Sequence, residues 1–170
     1  MTFSQDAWRA AGPWFDAILR HPFLDALADG SLPEATFVCY LVDDAHYLER
    51  YARVLALIST RAPDPAGSEL FAAAAVGAIA AERALHRVFL APRGLDPDLE
   101  RAGGVRVVPE PSPTCLAYTG YLLELASSAP VAVAIAGVLP CFRVYAEVGA
   151  AILLRRPDGE HAYEIGRAHV

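Results

Sequence analysis

Apolar side chains recur along this chain at the three- and four-residue spacing that is typical of amphipathic helices. The clearest run follows the sequence Ser31-Leu32-Pro33-Glu34, which has the form of a capping box with a proline in the first turn. Its apolar positions are Phe37, Leu41, Leu48, Leu55 and Ile58. Strand-like alternation is scarce, so the pattern predicts an all-α fold.

Proline, glycine and serine residues mark the limits of the other predicted helices. The N-terminal apolar pattern is interrupted by Pro13 and Pro22 and ends at Gly30. An alanine-rich helix is predicted over residues 69–90, after Asp64-Pro65, which suits an N-cap and a first helical turn.

Two more helices are predicted in the C-terminal half. Ser112-Pro113 caps a helix that reaches residue 127, and Pro130 begins one that reaches residue 155. Pro140 predicts a kink in the second of these, because proline lacks an amide hydrogen and clashes with the preceding turn. Residues 91–112 are rich in proline and glycine and predict a loop, with a turn at 96–100.

The composition fits a single globular domain in the cytoplasm. The chain has 170 residues, 55% of them hydrophobic and 20% charged, which excludes a disordered, highly charged chain. A net charge of -6 without a basic run argues against nucleic acid and anionic membranes as partners. The longest apolar run, 131–142, contains Pro140 and is shorter than the ~20 residues of a membrane span. Three cysteines without a CxxC motif are typical of a reducing compartment.

Polar and aromatic residues share one face of the second long helix. Asp44, Tyr47 and Tyr51 are three and four residues apart, so they lie on the same side. A carboxylate beside aromatic rings could accept a hydrogen bond from an amino group on a flat ligand. The alternative, which periodicity alone favours, is a surface pair formed by Asp43 and Asp44 next to interfacial tyrosines.

Cysteine and tyrosine residues on the last two helices are further candidates. Cys141 follows Pro140 at the predicted kink, and Tyr145 lies one turn later on the same face. A reactive cysteine would need a nearby group to manage the thiol proton, and Asp44 is a candidate. The alternative is a packing role, since free cysteines are commonly buried and inert. Tyr118 could add a hydroxyl group to the same cavity.

Four segments, taken in order, resemble the TenA family, the thiaminase II or aminopyrimidine aminohydrolase group of the haem-oxygenase-like helical fold. They span residues 21–154 and read HPFLDALADGSLPEATF, YLVDDAHYLERYARVLAL, SPTCLAYTGYLLELA and LPCFRVYAEVGAAIL. The resemblance implies that Asp44 holds the amino group of an aminopyrimidine and that Tyr47, Tyr118 and Tyr145 line the site. It also implies that Cys141 is the nucleophile, as in the cysteine-type branch of the family.

The implied reaction is hydrolysis of thiamine or a thiamine-derived aminopyrimidine to hydroxymethylpyrimidine for thiamine salvage. The resemblance implies no metal and no organic cofactor. It implies a small-molecule partner and a homo-oligomer, since intact family members are usually tetramers.

The C-terminal end departs from the family pattern. Residues 165–170 continue no amphipathic pattern and read as a non-native tail, so we expect one TenA-like domain over residues 1–164. EHAYE at 160–164 could begin the next family segment, but the later helices that carry another tyrosine and an acid/base glutamate do not follow. We therefore expect a bundle without its last helices and an impaired enzyme.

Three other functions stay open from the sequence. Glu82 and His86 are four residues apart and could serve a metal-dependent oxidase or oxygenase of the same fold, although an exposed pair at this spacing is commoner. A non-catalytic pyrimidine-binding or regulatory protein would bind ligand without turnover. An all-α oligomer in which Cys141 only packs would have neither property.

Overall fold

The computed structural model describes residues 2–95 and 108–155, and these residues contain helices and no strand. Six α-helices follow one another within these two ranges. They are α1 (Phe3–Leu19), α2 (Pro22–Asp29), α3 (Glu34–Arg61), α4 (Pro65–Leu85), α5 (Pro113–Ser128) and α6 (Val131–Arg155). The predicted all-α fold is confirmed, whereas the predicted turn at 96–100 and the tail at 165–170 lie outside the described residues.

The helices belong to two compact units. The larger unit is formed by residues 34–139, and the smaller unit by residues 1–33 and 140–170, within the described ranges. Helix α6 belongs to both, and the division falls at Pro140. The helix continues through this proline.

Helix α3 supplies half of the described residues that are buried in the larger unit. Eleven of its residues are buried, and Phe37 and Ile58 are fully so. Helix α4 returns beside α3 after a three-residue connection, and the two helices are joined there by Ser59 and Ser68, whose hydroxyls each donate to the other residue's carbonyl, at 2.7 and 2.9 Å. Asp64 caps α4 by accepting from the amide of Gly67 at 2.7 Å, as the sequence predicts.

The segment after α4 differs from the single helix predicted over residues 69–90. The α-helix ends at Leu85, a π-helical turn spans His86–Leu90, and a 3-10 turn spans Ala91–Arg93. Pro92 has no amide hydrogen, so an α-helix cannot continue through it with its hydrogen bonds intact. Gly94 then adopts a φ of 75°, a conformation that glycine tolerates best.

Side chains of α3 hold both ends of α5. At the start, the Asp43 carboxylate accepts from the amide of Ser112 at 2.8 Å, and Ser112 in turn caps the helix by accepting from the amide of Cys115 at 3.1 Å. At the end, Arg61 donates to the carbonyls of Ala126 and Ala129. These contacts show that α5 runs in the same direction as α3.

Helix α6 also packs closely in the larger unit. The Tyr51 hydroxyl donates to the carbonyl of Val138 at 3.1 Å. A Cβ atom on Gly137 would lie 2.7 Å from Cδ1 of Leu125, so glycine permits the approach of α6 to α5.

The smaller unit contains α1, α2 and the C-terminal part of α6. Thr2 and Gln5 form a capping box at the start of α1, and Gly30 ends α2 with a φ of 79°, as the sequence predicts for that residue. Arg143 lies over the ring of Trp8 at 4.5 Å from its centroid. Arg155 donates to the carbonyl of Leu19 and to the carboxylate of Asp25.

Helix α6 is apolar enough and long enough to cross a membrane. The uninterrupted apolar run at 131–142, considered alone in the sequence analysis, is too short to do so. The mean hydropathy of α6 reaches 1.7 over 18 residues, 11% of which are buried, and α6 is the one such helix among the described residues. The core helices of water-soluble proteins meet the same criteria, so this helix alone does not indicate a membrane protein.

Replacing Arg61 with methionine tests its contribution to the end of α5. We expect Arg61→Met to lower the free energy of unfolding by about 1.5–3 kcal/mol, because two carbonyls lose a charged donor while the apolar stem is kept. Urea denaturation followed by circular dichroism measures this difference. Arg53→Met is the matched control, because Arg53 pairs with Glu49 on the surface and such pairs contribute only ~0.3–0.5 kcal/mol. Equal losses for the two variants would contradict the assignment.

The thiol of Cys115 makes the free energy of unfolding depend on pH in the alkaline range. Burial raises the pKa of this thiol above its usual range, and the Asp43 carboxylate raises it further. A thiol whose pKa is higher in the folded state than in the unfolded state contributes to the free energy of unfolding. This contribution is complete below the pKa of the unfolded chain, ~8.5, and is lost as the pH rises through the pKa of the folded state. We therefore expect Cys115→Ala to lose less stability than the parent between about pH 8 and pH 10. Cys39→Ala, which changes an exposed cysteine, is the control, and its free energy of unfolding should vary with pH as in the parent. The same pH dependence in Cys115→Ala and the parent would refute the assignment.

Candidate functional site

Helix α3 carries a buried carboxylate and two buried tyrosines on one face. Asp44, Tyr47 and Tyr51 are 6%, 8% and 4% exposed. Their spacing brings them to the same side of the helix, as the sequence predicts. The alternative of a surface aspartate pair is wrong, because Asp44 lies in the interior, where the apolar stripe of α3 continues on either side. A buried carboxylate is costly to desolvate, so its place among aromatic rings marks this region as chemically unusual.

Three tyrosine rings form a continuous stack at this face. The rings of Tyr47 and Tyr51 are 5.1 Å apart with an interplanar angle of 20°. Tyr118 of α5 stacks on Tyr47 at 5.9 Å and is nearly parallel to it, at 6°. The stack begins in the core with Tyr51 and ends at Tyr118, which is 40% exposed, so the three rings form an aromatic wall that extends from the core to the surface.

The neighbouring residue Asp43 has a structural role. Its carboxylate holds the start of α5, while its carbonyl lies 3.5 Å from the sulfur of Cys115. The ring of His46 bonds to the carbonyl of Pro109 at 2.8 Å and fixes the segment that leads into α5. These contacts position α5 so that Tyr118, in the second turn of the helix, meets Tyr47.

Cys141 and Tyr145 lie one turn apart on the part of α6 that belongs to the smaller unit. Cys141 is half-buried and directly follows Pro140; Tyr145 is 46% exposed. Their shared face agrees with the predicted four-residue spacing. The structure thus brings Asp44, Tyr47 and Tyr118 together in the larger unit, and Cys141 and Tyr145 together in the smaller one.

Glu82 and His86 form a pair, but the pair is not the exposed one expected from its spacing. Nδ1 of His86 is 3.2 Å from the Glu82 carboxylate, and the two side chains are 16% and 12% exposed. Nε2 of His86 is buried without a hydrogen-bond partner among the described residues. Within ranges 2–95 and 108–155, no group of three or more histidine, cysteine or acidic side chains is placed to hold a metal.

Several contacts that shape the site carry no local sequence signal. Asp43 looks like Asp44 in the sequence, and the contact that distinguishes them involves a residue 69 positions away. Thr119 is fully buried, and its hydroxyl donates to the carbonyl of Cys115 at 2.7 Å, within its own helix. The alternation of polar and apolar residues along α5 does not reveal this, because the helix is apolar on most sides.

Curated proteins of the thiamine pathway are similar to this chain over most of its length. The aminopyrimidine aminohydrolase of Bacillus subtilis is 34% identical over 90% of the chain, and that of Halalkalibacterium halodurans is 32% identical over 88%. The thiamine biosynthesis multifunctional protein ThiED of Corynebacterium efficiens is 37% identical over 95%. The chain spans 62% and 64% of the two aminohydrolases and 20% of the multifunctional protein.

Solved structures of TenA homologues share the fold. The homologue from Pyrococcus furiosus has a TM-score of 0.80 at 18% identity, and the match covers 97% of this chain and 74% of that one. The homologue from Pyrococcus horikoshii has a TM-score of 0.68 at 25% identity over 98% and 74% of the two chains. The likeness confirms the TenA-type helical fold predicted from the sequence.

A sequence profile described as the TENA/THI-4/PQQC family matches residues 8–166, which is nearly the whole chain. This match includes each of the four segments that carry the resemblance. The chain belongs to the TENA/THI-4/PQQC family.

Proposed function

We propose that this chain forms the substrate-binding and nucleophile-bearing part of an aminopyrimidine hydrolase that acts in thiamine salvage. The observation that carries the proposal is the parallel stack of Tyr47 and Tyr118 beside the buried carboxylate of Asp44. Such a site suits a flat heteroaromatic ring with an amino substituent. The similarity to proteins named aminopyrimidine aminohydrolase supports the same substrate class.

Asp44 accepts a hydrogen bond from the amino group of the aminopyrimidine. A hydrogen bond to a charged acceptor stabilises a complex by about 1.5–3 kcal/mol, and the low exposure of Asp44 reduces competition from water. Tyr118, at the exposed end of the tyrosine stack, is placed to stack against the ring. These two contacts together select planar rings that carry an amino donor over aliphatic amines.

Cys141 is the nucleophile of the proposed reaction. Its thiolate adds to a carbon of the electron-poor pyrimidine ring, and the electron pair of the adduct expels the amine, or the thiazole of thiamine, from the exocyclic methylene group. A departing amine takes up the proton that the thiol gave up, whereas the thiazole leaves as a neutral molecule without one. Water then adds to the methylene group and loses a proton to solvent, and release of the thiolate restores the aromatic ring as hydroxymethylpyrimidine. The covalent step divides one difficult displacement into two easier ones. Tyr145, on the same face of α6, lines the site beside the thiol.

Domain organisation and assembly are part of the proposal. Residues 1–164 form one TenA-like domain, and the chain functions as a homo-oligomer in the cytoplasm. The relatives it matches are longer, so the proposed activity is that of the whole family domain.

Replacing Cys141 with serine separates chemistry from binding. We expect Cys141→Ser to reduce release of hydroxymethylpyrimidine by on the order of 10³-fold or more, because a serine hydroxyl is a far weaker nucleophile at neutral pH. Binding of an aminomethyl-substituted aminopyrimidine, measured by calorimetry, should remain within about threefold of the parent, since the ring contacts are untouched.

Cys39→Ser is the matched control, because Cys39 is exposed on α3 and lies outside the proposed site. Turnover by Cys141→Ser at the parent rate would refute the nucleophile assignment. Tight binding without turnover in the parent chain would favour the non-catalytic pyrimidine-binding protein instead.

Removing the ring of Tyr118 tests the aromatic wall. We expect Tyr118→Ala to weaken binding of the same aminopyrimidine about threefold to tenfold, in line with the ~0.5–1.5 kcal/mol of an aromatic stacking contact. Tyr121→Ala is the control, because Tyr121 lies on the same helix and is 58% exposed, outside the stack. Equal affinities of the two variants would remove Tyr118 from the site.

A further inference from the structure

A polar pair at the end of α4 faces the interior of the larger unit and takes no part in the proposed reaction. Phe71, Ala75 and Leu85 form the buried side of this helix. Glu82 and, just beyond the helix, His86 continue that side at helical spacing. Their side chains are 12% and 16% exposed. The pair therefore lies where polar groups normally have hydrogen-bond partners.

Contacts between α3 and the segment that carries the pair fix its level in the core. Ser59 of α3 bonds to Ser68, and the ring of Phe37 lies 5.9 Å from that of Phe89. Between these two contacts the chain moves back by 22 residues along α3 and forward by 21 along the facing segment, so the two run antiparallel in a constant register. Interpolation places the polar pair level with residues 40–45 of α3, the turn that carries the proposed anchor of the amino group.

The contact within the pair decides which nitrogen of the imidazole ring can accept a hydrogen bond. Nδ1 of His86 lies 3.2 Å from the Glu82 carboxylate, and an ionised carboxylate only accepts. Nδ1 therefore carries the proton of the neutral ring, and Nε2 keeps its lone pair. This Nε2 atom is buried and has no hydrogen-bond partner among the residues that the structure describes. Leaving a buried acceptor unpaired is costly, so the position suits a donor on a bound molecule.

The backbone is irregular at the same residue. A π turn begins at His86, whose carbonyl accepts from the amide of Ala91, whereas in an α-helix it would accept from the amide of Leu90. Such turns are rare and occur frequently at functional sites. This backbone feature is independent of the side-chain contacts, and it falls on the residue that bears the buried acceptor.

We propose that Nε2 of His86 accepts a hydrogen bond from the bound aminopyrimidine and that Glu82 is the positioning residue that keeps the ring proton on Nδ1. The inference rests on the proposed function, in which Asp44 accepts one N–H of the amino group. A primary amino group has two N–H bonds, and the second needs an acceptor of its own. His86 supplies it from the segment that faces the turn of Asp44. Two acceptors also reject a ring with a carbonyl oxygen in place of the amino group, because lone pairs would then face each other.

Calorimetry with two ligands separates a binding role of His86 from a structural one. The ligands are an aminomethyl-substituted aminopyrimidine and the same molecule with hydrogen in place of its ring amino group. We expect His86→Leu to weaken binding of the first ligand about fivefold to tenfold, in line with one hydrogen bond, and to leave binding of the second within about twofold. Val88→Ala is the matched control, because Val88 lies in the same π turn and is 55% exposed. Both affinities of this control should stay at the parent level.

The parent chain distinguishes two kinds of failure. A parent chain with no preference for the ligand that carries the ring amino group would contradict the proposed function, and the role of His86 with it. A parent chain with that preference, together with equal weakening of both ligands in His86→Leu, would overturn the role of His86 alone.

Nitrogen-15 NMR of the histidine rings tests the same contact in the parent chain, without a substitution that could disturb folding. We expect the ring of His86, identified by its missing signals in His86→Gln, to carry its proton on Nδ1. The Nε2 signal should move upfield as the aminopyrimidine saturates the chain, since Nε2 then accepts a hydrogen bond. An Nε2 signal that does not respond to saturating ligand would overturn the proposal.

Two substitutions of Glu82 test the positioning role. Glu82→Gln keeps an oxygen that can accept from Nδ1, so the ring tautomer and the affinity for the aminopyrimidine should stay near those of the parent. Glu82→Leu removes the acceptor, so the proton should move to Nε2 in part of the molecules and the affinity should fall. The same tautomer and affinity in Glu82→Leu as in the parent would contradict the positioning role.

Discussion

The larger unit depends on hydrogen bonds that side chains of α3 make to the main chain of distant segments. Asp43 accepts from the amide of Ser112, the N-cap of α5, Arg61 donates to the carbonyls at the end of α5, and Tyr51 donates to the carbonyl of Val138 in α6. Helix ends leave amides and carbonyls without partners in their own helix, and burying them unpaired is costly. One helix therefore provides both the apolar core and the polar contacts that complete its neighbours.

Two adjacent aspartates on α3 illustrate how position on a helix separates structure from chemistry. The Asp43 carboxylate accepts from the amide of Ser112, and Ser112 in turn caps the start of α5. Asp44, about 100° further round the helix, is buried beside the tyrosine stack. Removing the first would misplace Tyr118, whereas removing the second would leave the wall intact but take away its proposed anchor for an amino group.

Much of this organisation could be predicted from the sequence. Gly30, Pro65 and Ser112 mark helix limits because they act through their own backbone conformation or a contact three residues away. The shared face of Asp44, Tyr47 and Tyr51 follows from helical spacing. The burial of Asp44 and the bond from Asp43 to Ser112 could not be predicted, because each depends on which helix packs alongside. The same holds for the buried Glu82–His86 pair, which local spacing suggested would be exposed.

The contacts that hold α5 also bear on how the chain reaches its native state. Helices α3 and α4 are joined by three residues, so their pairing needs little loop closure. Helix α5 meets α3 through pairs of residues 65–69 positions apart, and Tyr51 meets Val138 across 87. Closing such long loops costs more chain entropy before any contact repays it. The α3–α4 hairpin is thus the natural template, and the aromatic wall completed by Tyr118 belongs to a later stage of folding than the helix that carries Asp44.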